Sequence, residues 1–177
     1  MPEAFEEMLT GGHPNSLGRT LEVVELVLAD PNRFRELFDC YASKDEVVRL
    51  RTSNAMKRVE SKRHDLLVPY IDRFIIEIGE LDQASAQWTL AQLFDRLSSD
   101  MDKRQKASAL EIMKRNLAKH DDWIVLKSSI DTLSRWAVDD QGLRKWLEPH
   151  LQRLSDDRRK IVASRATKAL KSLTIGG

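Results

Sequence analysis

Residues 48–59 read VRLRTSNAMKRV, and their pattern of apolar and polar positions returns three more times: AQWTLAQLFDRL at 86–97, VLKSSIDTLSRW at 125–136 and VASRATKALKSL at 162–173. The offsets are 38, 39 and 37 residues. The first position is small and apolar throughout: Val48, Ala86, Val125, Val162. The ninth is Met56, Phe94, Leu133 or Leu170, and the twelfth is Val59, Leu97, Trp136 or Leu173. Positions eight and three apart share one face of an α-helix, so each segment carries a single apolar stripe. One hairpin cannot bury such a stripe alone, whereas a row of stacked hairpins makes a continuous core.

Working outward, the segments sit in an all-helical pattern. Seven glycines and five prolines in 177 residues fall mostly between apolar-periodic stretches, and strand-like alternation is nearly absent. Aspartates precede each repeated segment (Asp45, Asp82, Asp121-Asp122, Asp156-Asp157) and can cap the helix that follows. The spacing predicts a short helix over 3–9, a break at Gly11-Gly12-His13-Pro14, and a helix to about residue 29 with Leu17, Leu21, Val24 and Leu28 on one face. Pro31 suits the first turn of a helix to about 42. Further helices are predicted at about 45–60, 64–79, 83–99, 103–119, 122–138, 142–154 and 157–173. Their short connections make neighbours antiparallel.

The stretch Leu67-Val68-Pro69-Tyr70-Ile71-Asp72-Arg73-Phe74 returns at Leu147-Glu148-Pro149-His150-Leu151-Gln152-Arg153-Leu154, and both prolines fall inside helical patterns, where each should kink the helix. With the turn aspartates, and with Asp45-Glu46-Val47-Val48-Arg49 followed by Ala55-Met56, these residues resemble the HEAT family of armadillo-like α-solenoids over about 31–173. The third repeat departs from the pattern: Ser108-Ala109-Leu110 stands where the proline would fall, and Leu126-Lys127 where a basic residue would follow the apolar pair. The resemblance implies a right-handed α-α superhelix of about four hairpins (31–62, 63–100, 101–139, 140–177) behind an N-terminal cap over 1–30.

It also implies that the second helix of each hairpin lines the concave side. Three positions there stay polar: Arg51/Asn54/Arg58, Thr89/Gln92/Arg96, Ser128/Asp131/Arg135 and Arg165/Lys168/Ser172. The expectation is a ladder along the inner surface, with Arg58, Arg96 and Arg135 as a column of guanidinium groups suited to carboxylates or phosphates. Equally, any exposed helix face needs polar residues. Trp136 and Trp146 read as packing, and Trp88 and Trp123 as partly exposed candidate anchors for a partner.

Composition bounds the function. Hydrophobic residues are 41% and charged residues 32% of the chain, and no apolar run approaches the roughly 20 residues that span a bilayer. The opening MPEAFEEMLT lacks the basic and apolar regions of a secretory signal, which favours the cytosol. Cys40 is alone, so it makes no internal disulfide, and it reads as a buried thiol. His13, His64, His120 and His150 show no metal-ligand spacing, and no cofactor or metal is expected. Net charge is +1, but residues 1–46 hold four Lys/Arg against ten Asp/Glu, and residues 141–177 hold nine against three. These features favour a non-enzymatic protein-interaction scaffold. The alternatives are a nucleic-acid backbone binder, using basic clusters such as Arg158-Arg159-Lys160, and, at a distance, a HEAT-like alkylpurine DNA glycosylase, for which Trp88, Trp123 and Asp131 supply residue types but no matching pattern.

Overall fold

A computed structural model describes residues 1–175. Among them are ten α-helices and no strand: α1 Phe5–Leu9, α2 Thr20–Ala29, α3 Phe34–Asp39, α4 Glu46–Lys62, α5 Ile71–Arg73, α6 Ala84–Leu97, α7 Lys103–Lys119, α8 Trp123–Trp136, α9 Gln141–Ser155 and α10 Lys160–Ile175. None is long and apolar enough to cross a membrane. The chain divides into two compact units, one from Met1 to Thr89 and one from Leu90 on, with the division inside α6.

Local chemistry sets the helix starts. Asp45 accepts the Val47 N–H at 2.8 Å, and Asp122 accepts those of Ile124 and Val125 at 2.8 and 3.0 Å. Asp140 does the same for Leu143 at 2.9 Å. Asp102 and Gln105 exchange side-chain-to-backbone bonds at 2.7 and 3.0 Å, a reciprocal capping box that satisfies two orphan donors of α7.

In the first unit α2 packs on α4, and α1 touches both. The buried face of α2 is Thr20, Val23, Val24 and Val27. This corrects the expected Leu17, Leu21, Val24, Leu28 face: Leu17 precedes the helix and is 37% exposed, Leu21 is 49% exposed and Leu28 half-buried. The helix is apolar nearly all round, so periodicity alone could not choose its inner side. Phe34, Phe38, Tyr41, Tyr70 and Phe74 form an edge-to-face aromatic cluster, the geometry favoured by ring quadrupoles.

The single helix expected at 64–79 is broken, a second correction. Pro69 offers no N–H, and the chain around it tightens into 3₁₀ turns at His64–Leu66 and Val68–Tyr70. After α5 it widens into a π-helical turn, Phe74–Ile78, where the Gly79 N–H reaches the Phe74 carbonyl at 2.9 Å. Pro149, by contrast, lies inside the continuous α9.

In the second unit α8 packs on α7, and α10 packs on α8 and α9. Leu143, Leu147, Leu151 and Leu154 of α9 are buried, each contributing about 1.5–3 kcal/mol. Of the repeated stripe, Val48, Met56, Val59, Ala86, Phe94, Leu97, Val125, Leu133 and Val162 are wholly inaccessible, while Trp136, Leu170 and Leu173 are half-buried.

Candidate functional site

The polar ladder separates by register once side chains are placed. Position eleven of the repeated segment (Arg58, Arg96, Arg135, Ser172) is exposed in all four copies. Position seven is intermediate for Asn54, Gln92 and Asp131 and exposed for Lys168. Position four turns inward: Arg51 and Thr89 are 1% exposed, Ser128 5%, and only Arg165 is half-exposed. The expectation of Arg51, Thr89 and Ser128 on an open surface is therefore corrected. The signal was in the sequence, because a position holding Thr and Ser in two copies is small enough to pack.

Arg51 is the largest fully buried side chain in the protein. Its Nε donates to the Ser16 carbonyl at 3.1 Å, Nη1 to Leu9 and Gly11 at 2.7 and 2.6 Å, and Nη2 to His13 at 3.2 Å. The loop from Thr10 to Arg19 thus wraps a guanidinium that has exchanged water for four carbonyls. Gly11, Gly12 and Gly18 have φ of 76°, 75° and 52°, the left-handed conformations such a wrap requires. Sequence reasoning read these glycines as a helix break and missed the cation at their centre.

In the second unit, Asp131 and Arg135 of α8 and Arg165, Lys168 and Ser172 of α10 line one open groove of about 290 Å³, floored by Ile130 and Ala169 and rimmed by Val138. Spacings of three and four on each helix put these side chains on facing surfaces. Arg135 Nε donates to Asp95 of α6 at 2.8 Å, and Arg165 Nη1 to Asp131 at 3.2 Å. Three cations thus face two carboxylates. In the first unit Arg58 Nε donates to the Asn54 oxygen at 2.7 Å. Gln92 reaches Ser128 Oγ at 3.4 Å. The guanidinium groups are already oriented by partners of this chain and keep donors for a further acceptor.

The tryptophans divide too. Trp123, at the start of α8, is 44% exposed, and Trp88 is half-buried. Trp146 lies against the His150 ring at 4.2 Å, with the Lys114 ammonium 5.2 Å from its centroid. Burial, followed by the charge of Arg153, holds the His150 imidazole below its ordinary range. Trp136 sits beneath Lys106 at 5.3 Å, with its buried indole N–H unpartnered. Cys40 is buried, and burial together with Glu6, Glu36 and Asp39 pushes its thiol up to about 12. A thiol with that value supplies negligible thiolate at neutral pH. Among the described residues, no three His, Cys, Asp or Glu side chains are placed to hold a metal ion. Compared with protein-family models, curated proteins and solved structures, the chain matches none.

Proposed function

We propose that the protein is a non-enzymatic interaction module: a HEAT-like right-handed superhelix of four hairpins whose second helices line the inner side, where a segment of a protein partner lies along the ladder. The observation that carries the reading is the groove between α8 and α10, where five ladder residues surround an apolar floor. Its chemistry suits a peptide. Phosphate backbones are held by surplus cations, whereas here Arg135, Arg165 and Lys168 are offset by Asp95 and Asp131. An apolar side chain seated on Ile130 and Ala169, with backbone or carboxylate acceptors toward the guanidinium donors, fits both features.

Val138 is 64% exposed and Arg135 projects from the same rim, so the pair can be changed without entering the core. The test is affinity capture from native lysate, with and without nuclease, using the wild type and an Arg135→Glu/Val138→Asp variant. A discrete protein that survives nuclease and drops at least about tenfold with the variant supports the reading. Loss of every captured component after nuclease would move the chain to the nucleic-acid class.

A further inference from the structure

Leu21 of α2, and Leu17 just before it, are among the large apolar side chains that core packing leaves exposed. Leu21, Glu25 and Leu28 follow at four and three residues, so they form one stripe that flanks the buried valine face, and Leu17 lies in the turn just before the helix. Leu21 is half-exposed at 49%, and Leu17 at 37%. The helix carries Glu22 and Glu25 and no basic residue. It belongs to the acidic N-terminal stretch, where net charge over residues 1–46 is −6.

Late in the chain, α10 presents a stripe of opposite sign. Lys160, Ile161, Ser164, Lys168, Lys171 and Ile175 fall within about one hundred degrees of helix circumference, and all six are exposed. Ile161 is 43% and Ile175 86% exposed. The helix has four basic residues and no acidic one, and net charge over residues 141–177 is +6. Lys160, Lys168 and Lys171 make no ion pair among the described residues. With Glu22 paired to Arg19, Glu25 is the acidic group left on the α2 stripe, so each stripe combines exposed aliphatic side chains with unpaired charge, negative on α2 and positive on α10.

We propose that the occupant of each stripe is the other stripe on a second copy of the chain, so that α2 of one molecule docks on α10 of the next. Like charges repel, which disfavours the α2–α2 and α10–α10 pairings and leaves the α2–α10 contact between copies. It goes beyond the partner-binding reading, shares Lys168 with the groove, and is tested at residues that do not line it. One helix stripe per partner buries less than a standard interface, so the association is weak and salt-sensitive.

Sedimentation velocity on the full chain tests it over a range reaching several hundred micromolar protein, at about 20 mM and about 500 mM salt, where charges act over roughly 20 Å and 4 Å. The expected result is a weight-average sedimentation coefficient that climbs with concentration at low salt and collapses toward the monomer at high salt. Leu21→Ser, Glu25→Lys and the pair Lys160→Glu/Lys171→Glu should each weaken association about tenfold, and combining Glu25→Lys with the Lys160/Lys171 reversals should restore it. These residues are exposed, and unchanged helical circular dichroism checks folding. A monomer at every concentration and salt overturns the proposal, as does association indifferent to the variants. Binding of a single-stranded oligonucleotide by a monomeric chain, lost with the Lys160/Lys171 reversals, would overturn it in favour of nucleic acid.

Discussion

A buried guanidinium donating to four carbonyls gives Arg51 and the loop around it a shared energetic fate. Removing the cation strands acceptors that belong to Leu9, Gly11, His13 and Ser16, and a buried unsatisfied polar group costs about 1–3 kcal/mol. Arg51→Met should lose about 3 kcal/mol or more. Arg51→Lys should fall between it and the wild type, because a compact ammonium has three donors and no planar fork. Gly18→Ala is coupled to the same group: a Cβ there would stand 2.8 Å from Arg51 Cζ and 2.9 Å from Nη1. The guanidinium cannot retreat without breaking its bonds, and φ of 52° adds strain, so about 2 kcal/mol should be lost. Urea denaturation checks the order wild type, Lys, Met. A Met variant with the wild-type midpoint would show that the loop does not depend on the cation.

Among elements, the start of α10 carries a pH-sensitive pair. Asp157 accepts the Arg159 N–H at 2.9 Å and pairs with its guanidinium at 2.8 Å, while Arg159 also bonds the Asp121 carbonyl, tying the start of α10 to the turn before α8. Hydrogen bonding from Arg159 holds the Asp157 carboxyl down at about 2. Its folded value lies below its unfolded value of about 4. The stabilisation is therefore complete above pH 4 and is lost as pH falls from 4 toward 2, because the unfolded chain takes up the proton first. Asp157→Asn should cost about 1 kcal/mol at neutral pH and show a shallower further loss between pH 4 and 2, read from thermal unfolding. An unchanged acid profile would mean the pair contributes nothing. That aspartates would cap helix starts was legible at Asp45 and Asp122, since the residue type and its place before the apolar run state the chemistry, whereas Asp157 closes the turn before α10. Which side of α2 faces inward was not legible. Two overlapping stripes, Leu21-Val24-Leu28 and Val23-Val24-Val27, satisfy the same helix, and contact with α4 decides between them. Pro69 and Pro149 read alike in sequence, yet one sits in a 3₁₀ turn before α5 and the other inside the continuous α9.

At the scale of the whole molecule, the repeated stripe translates into core with three exceptions, and those lie in the last two copies, at Trp136, Leu170 and Leu173. The repeat was visible because burial constrains three positions per copy to apolar types. The polar positions between them tolerate more residue types, so Arg51 inside its loop and Arg135 on a groove rim look the same singly and separate only when each position is read across the copies. Each compact unit encloses its own set of buried side chains, with α2 and α4 in the first and α7–α10 in the second. In the array of hairpins we propose, stability is a sum of local terms, and a lesion is felt mainly by its neighbours. The Arg51→Met change should therefore raise amide hydrogen exchange across α1, α2 and α4 by about a hundredfold, as a loss of about 3 kcal/mol requires, and leave α8, α9 and α10 at wild-type rates. Equal acceleration in both units would show instead that the chain opens only as a whole, and the additive description would have to be given up.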